Sequence, residues 1–346
     1  DRRGRFLGRG LVDGGPLFLR LWTTRDEPMD EGLFRRRLDR ARELRADVLP
    51  TETTAFRLLH GEGDRTPGVV LDVYGDGTAR FGVLRLDGDG ARRWRERWVR
   101  ALAEALGDEL DGILARGGRG EAPELVHGVA PPPQIAVKEH GMTLLADLRA
   151  GQKTGLFLDH REGRHRVRAL GRGRRVLNLY AYTGGFGIAA GLGGAVRVTN
   201  VDVAPAAVAL AEEGWVANGL DPARHRAVAA DVPRFLAEDR EPEDLIIADP
   251  PSFAPRESAV GKALESYAQL HAACLSRLHP GGLYLAASCS SHVDMEAFAG
   301  TLRAGARKAR KTLQLLDRWG SPPDHPRLLA FPEGDYLKSL LVRVVD

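Results

Sequence analysis

Cysteine is almost missing from these 346 residues, with Cys274 and Cys289 the two present. Two thiols cannot build a disulfide framework, so a stapled secreted scaffold is excluded and a reducing cytoplasm is the expected compartment. No apolar run approaches the roughly 18 residues of a membrane-spanning helix, and no charged-then-apolar leader opens the chain, so no membrane partner is expected. Lysine is scarce as well: it supplies six of the 50 basic residues, and arginine the rest. Arginine suits phosphate because its planar fork pairs bidentately. A GC-rich genome writes the same bias, and net charge is only +3, so charge alone carries a nucleic-acid partner weakly. His140, His160, His165 and His292 lack metal-ligand spacing, so no metal is expected.

The length suits two domains or more. Residues 1–24 alternate arginine and glycine with apolar residues and predict short strands. Asp1 falls inside that pattern, so an N-terminal piece is expected to precede it. A helix is expected over Glu31–Leu49, strands over 56–74 and 81–86, and a helix over Arg92–Leu106. Its Trp94 and Trp98 read as a core stripe, with stacking on nucleic-acid bases beside Arg92, Arg93, Arg95 and Arg97 as the alternative. Residues 116–134 read as a loop, and 137–148 as a hairpin about a glycine turn. From residue 174 the pattern alternates: strands at 174–180, 195–201, 225–229, 244–248, 283–288, 312–318 and 338–345, helices at 186–192, 205–218, 232–238, 264–278 and 294–311. The fold class is therefore α/β, with a C-terminal doubly wound, mostly parallel sheet of seven strands whose last two run antiparallel.

Chemistry gathers at the carboxyl ends of these strands, where open α/β sheets bind ligands. The first strand runs into Tyr180-Ala181-Tyr182-Thr183-Gly184-Gly185-Phe186-Gly187, a turn that brings backbone close to a ligand. Asp202 ends the second strand, where a carboxylate accepts ribose hydroxyls, and Asp231 follows the third, where it meets an adenine amine. Together they outline an adenosine pocket. A nicotinamide dinucleotide is the competing ligand, on the loose match Gly185-x-Gly187-x-x-Ala190. Against it stand Asp249-Pro250-Pro251-Ser252-Phe253 and Ser288-Cys289-Ser290, which have no part in hydride transfer.

A thiol and a carboxylate on one rim suit covalent attack on an electron-poor ring. Carbon 5 of cytosine becomes nucleophilic only after a thiolate adds at carbon 6. Cys289 is the expected nucleophile, and Asp249 the group that holds a proton on the ring nitrogen or binds the exocyclic amine. Cys274 lies mid-helix beside Ala273 and Leu275 and reads as core.

These strings, taken in order with Gly61-Glu62-Gly63-Asp64, Gly151-Gln152-Lys153-Thr154-Gly155, Phe157-Leu158-Asp159, Asp324-His325-Pro326 and Tyr336-Leu337-Lys338, resemble the ribosomal large-subunit RNA 5-methylcytosine methyltransferase I family. Ser252 stands where that family usually carries lysine. The resemblance implies three parts: the end of a PUA RNA-binding domain (1–24), a central α/β domain with a β-hairpin (25–150), and a Rossmann-like methyltransferase domain of class I type (151–346). It implies S-adenosyl-L-methionine as cofactor and large-subunit ribosomal RNA as substrate, and it leaves a homodimer open. The implied cofactor residues are Phe157, Asp159, Arg161, Asn178, Tyr180, Tyr182, Thr183, Gly184, Gly185, Phe186, Asp202, Asp231, Val232, Asp249 and Pro250. The rivals are a guanine N7 RNA methyltransferase, whose target atom needs no thiol, and an RNA-binding assembly factor without turnover.

Overall fold

The computed structural model describes residues 5–14, 17–117, 121–238 and 241–346. The chain divides into two compact units. The first comprises Asp1–Gly141, Ala146–Leu158 and Pro322–Gly334, and the second Met142–Leu145, Asp159–Ser321 and Asp335–Asp346. No helix among the described residues is long and apolar enough to cross a membrane.

In the first unit, β1 (Arg9–Val12) and β2 (Leu19–Thr23) form an antiparallel hairpin. Helix α1 (Glu31–Val48) starts at Asp30, whose carboxylate accepts the Leu33 N–H and so satisfies an open helix-end donor. A five-stranded sheet follows in the order β3 (Ala55–His60), β4 (Val69–Gly75), β5 (Arg80–Leu86), β6 (Gly112–Arg116) and β7 (Glu124–Gly128), with only β5 and β6 parallel. Between β5 and β6 run α2 (Asp89–Arg93) and α3 (Arg95–Leu106), so the helix expected over 92–106 breaks at Trp94. Strand β7 lies inside the segment expected to be a loop. Its polar, half-exposed edge position leaves no apolar alternation to read. Trp98 is fully buried and stacked on Trp22 at 4.7 Å, which makes the tryptophan stripe core, as expected. Strand β8 (Ile135–Glu139) pairs with β9 (Met142–Ala146) in the expected hairpin, of which Met142–Leu145 are counted in the second unit.

Residues 322–334 fall within the first unit because buried charges hold them there. Arg45 pairs bidentately with Asp64 at 2.6 and 2.8 Å and donates to the Asp324 carbonyl at 2.7 Å. Arg57 pairs with Asp72 at 2.7 and 2.9 Å, and its backbone N–H donates to the Asp324 carboxylate at 3.0 Å. Buried ions persist only when paired in this way.

The second unit is one seven-stranded sheet: β10 (Arg175–Leu179), β11 (Arg197–Asp202), β12 (His225–Ala229), β13 (Glu243–Ala248), β14 (Leu278–Ser288), β15 (Leu313–Trp319) and β16 (Lys338–Val344). Across the sheet the order is β12-β11-β10-β13-β14-β16-β15, with the first five parallel and β16 antiparallel to both its neighbours. Strands β10 and β11 carry the buried polar residues Asn178, Thr199 and Asn200. The runs Leu245–Ala248 of β13 and Leu283–Ala287 of β14 are continuously apolar because helices cover both faces. Those helices are α5 (Gly185–Leu192), α6 (Pro205–Ala217), α7 (Val232–Glu238), α8 (Val260–Leu275) and α9 (Met295–Ala309). One further helix, α4 (Arg161–Leu170), precedes β10 and was not expected, because its buried face carries arginine instead of apolar residues. The strand order reverses between β10 and β13, the point beyond whose carboxyl ends open α/β sheets bind ligands.

Candidate active site

The turn after β10 is built from unusual backbone. Tyr180, Tyr182 and Gly184 all take the left-handed conformation, at φ 56°, 47° and 74°. Two tyrosines there cost more than glycine would, and such strain persists only where surroundings over-determine it. Asp202, at the end of β11, supplies that determination. One of its carboxylate oxygens accepts the Tyr182 N–H at 2.7 Å, and the other accepts the Ala204 N–H at 2.9 Å. A carboxylate offers about four lone-pair sites, so roughly two remain for ligand hydroxyls.

Below the turn lies a buried amide layer. The Asn178 side-chain amide donates to Asn200 Oδ1 at 2.9 Å, and Asn200 Nδ2 meets His225 at 2.8 Å. A Cβ at Gly187 would stand 2.2 Å from Asn200 Oδ1, and one at Gly184 would stand 2.9 Å from Asn200 Nδ2. The glycines are therefore fixed by packing below as well as by the turn above. Gly185 answers to Arg164, whose Cδ would be 2.9 Å from an added Cβ.

At the end of β13, Asp249 is partly exposed, and its Oδ2 lies 2.9 Å from Nε2 of the buried His160. His160 also meets Phe186 edge-on, with ring centroids 5.3 Å apart. Asp159 next to it is buried and accepts the Tyr336 hydroxyl at 2.8 Å. Thr183 and Phe186 in the turn after β10 and Pro250 beyond β13 are buried. Asp231 is exposed just after β12 and caps α7 by accepting the Arg234 N–H at 3.1 Å. Burial, with the charges of Cys274 and Asp231, pushes the Tyr180 hydroxyl above its ordinary range.

Cys289 follows β14 and is partly exposed, whereas the side chains on both sides of it are fully buried. The Tyr267 hydroxyl meets Ser288 Oγ at 2.8 Å and Ser290 Oγ at 2.9 Å. Ser290 Oγ also meets Ser252 Oγ at 3.0 Å, which ties the Asp-Pro-Pro turn to the cysteine turn. Cys289 itself lies just past the end of β14, between these two anchored serines. Cys274 contrasts with it: fully buried in α8, its thiol is pushed up to about 12 by burial. Among the described residues no cluster suits a metal ion.

Of the other residues expected at the site, Asn178 belongs to the buried amide layer, Arg161 is fully buried, and Val232 lies in the apolar core beside Phe235. Phe157 falls in the first unit, where Lys153 Nζ stands 4.3 Å from its ring centroid. Sequence reading missed His160, Tyr267 and Lys338, because their partners Asp249, Ser290 and the Ser290 carbonyl lie far along the chain.

Residues 95–343 match a family described as S-adenosylmethionine-dependent methyltransferase. The chain is 35% identical to the ribosomal RNA large subunit methyltransferase I of Shewanella denitrificans, over 99% of this chain and 88% of that protein. It is likewise 35% identical to the protein of that name from Alteromonas mediterranea, over 100% of this chain and 89% of that protein. The structure of SMU.776 complexed with SAH is similar at a TM-score of 0.88 and 27% identity, covering 98% of this chain and 88% of that one.

Proposed function

Because the chain belongs to the S-adenosylmethionine-dependent methyltransferase family, we propose that it methylates carbon 5 of a cytosine in large-subunit ribosomal RNA through a covalent adduct at Cys289. The observation that carries this reading is the partly exposed Cys289 between two buried serines, tied through Ser290 to the turn that bears Asp249. The relatives named for ribosomal RNA match nearly the whole chain, and this supports the choice of substrate.

In this reading a cytosine turned out of its stack enters the crevice beside β13 and β14. The Cys289 thiolate adds at carbon 6 and makes carbon 5 an enamine carbon able to attack an electrophile. Asp249, held by His160, accepts from the exocyclic amine and fixes the ring against the sulfur. Asp202 binds the ribose of the cofactor, Asp231 its adenine amine and the 182–186 turn its backbone-facing edge, while Asp159 belongs to the methionine end. When bound, S-adenosylmethionine supplies a sulfonium methyl group as the electrophile. A base, here solvent, then takes the carbon 5 proton, the carbon 6–sulfur bond breaks with its electron pair returning to Cys289, and the aromatic ring is restored. The β1–β2 hairpin is read as the end of a PUA domain, and the reducing cytoplasm is where such a thiol stays reduced.

The test is transfer of labelled methyl to ribosomal RNA by the wild-type protein and by C289A, with the product nucleoside identified by mass spectrometry. We expect 5-methylcytosine from the wild type and none from C289A, with S-adenosylhomocysteine binding retained. Unimpaired transfer by C289A would point to guanine N7. Intact cofactor binding with no transfer to any RNA would point to an assembly factor.

A further inference from the structure

Lys338 opens β16 and is 2% exposed, unusual burial for a lysine. In the antiparallel ladder its backbone stands opposite Ser288. Its ammonium reaches past that partner and donates to the Ser290 carbonyl at 2.6 Å and to the Tyr336 carbonyl at 2.7 Å. Backbone and side chain of one residue thus bracket Cys289 from both sides. Two of the three ammonium N–H groups are used on carbonyls that carry no formal charge. A buried cation is costly unless a negative charge faces it.

We propose that Lys338 is a positioning residue for Cys289: its buried ammonium fixes the turn that carries the sulfur and favours the thiolate over the thiol. This rests on the reading of Cys289 as the nucleophile and adds a residue to which that reading assigned no role. The charges that favour the ammonium are, in order, Cys289, Asp335 and Asp294, so the sulfur is the foremost of them. Tyr267 faces the same sulfur, but its hydroxyl is held in its neutral form mainly by burial. Burial pushes the Lys338 ammonium down to about 8, so it keeps its proton at neutral pH and releases it in mild alkali. A thiol of ordinary pKa near ~8.5 is mostly protonated at neutral pH, and an adjacent fixed cation is the usual remedy.

The test is the rate of iodoacetamide alkylation of Cys289 against pH in the wild type and in K338M, each corrected with its C289A counterpart. In the wild type, half-ionisation is expected below the ordinary thiol value of about 8.5. In K338M it is expected about one unit higher, with alkylation at pH 7 slower by roughly tenfold, the rate ratio of one unit. Superimposable profiles in the two folded proteins would overturn the proposal. Should K338M fail to fold, the wild-type profile decides: half-ionisation at or above about 8.5 overturns it, and a lower value sustains it. The two readings fail separately. Full methylation by C289A removes the nucleophile but leaves the thiol titration standing. An inactive C289A with unshifted K338M removes only the role of Lys338.

Discussion

Nε2 of His160 lies 2.9 Å from the carboxylate of Asp249, and the imidazole is all but sealed from solvent while the carboxylate is partly exposed. The pair turns an otherwise mobile strand-end side chain into a fixed acceptor. Displacements of about 1 Å at a reacting centre cost on the order of 100-fold in rate. For H160L we therefore expect kcat to fall by roughly 10- to 100-fold while the KM for S-adenosylmethionine changes little. Steady-state kinetics with saturating RNA measures this split, and an unchanged kcat would refute the positioning role.

Asp202 holds the turn after β10 through one carboxylate, and the proposed reading gives its remaining lone pairs to the cofactor ribose. Hydrogen bonds to a charged group are worth about 1.5–3 kcal/mol each. D202A is expected to weaken S-adenosylhomocysteine binding by more than about tenfold, read by calorimetry, and to leave the far-UV circular dichroism unchanged. Equal affinities would move the ribose site elsewhere.

Gly187 sits above the Asn178–Asn200 layer with no space for a methyl group. G187A must displace Asn200 and its bond to His225, and overpacking of this kind costs about 1–3 kcal/mol. A lower Tm is expected, with a weaker cofactor affinity following from the displaced turn. A stability equal to wild type would mean that the amide layer yields freely.

Acid should unfold the second unit through His271. This residue is fully buried in α8, meets the Tyr284 hydroxyl at 2.8 Å and Thr301 Oγ1 at 3.2 Å, and burial pushes its pKa down to about 3. The unfolded chain takes up a proton near ~6.5 and the folded one does not, so stability falls as pH drops from that value toward 3. At pH 5 the loss from this residue is about 2 kcal/mol. His225, pushed down to about 4 by burial, adds in the same direction. Urea unfolding at pH 7 and pH 5 measures the difference, which should shrink by about 2 kcal/mol in H271N. An undiminished difference would place the acid sensitivity elsewhere.

Much of the second unit is legible in the sequence because its inner strands are mostly apolar and each ends in a polar residue. Val176–Leu179, Leu245–Ala248 and Leu283–Ala287 announce themselves in this way, and so do Asp202, Asp249 and Cys289 beyond such runs. Charged interiors are what concealed the rest. Hydropathy marks Arg45, Arg57, Arg161 and Lys338 as surface, yet all four are buried, and Arg45, Arg57 and Lys338 have partners remote in the chain. The assignment of 322–334 to the first unit depends on those same arginines and has no local signal.

That excursion of 322–334 has a consequence for dissecting the protein. Neither half is a continuous stretch of chain, so no single cut in the gene separates them. A fragment ending near residue 158 would strip Arg45 and Arg57 of Asp324, while one beginning there would carry an orphaned segment between its last two strands. Strand β16, and with it the brace on the cysteine turn, joins the sheet only after the chain has left and returned. On the proposed covalent reading, a protease nick near residue 325 should therefore abolish methyl transfer well before it dissolves the sheet.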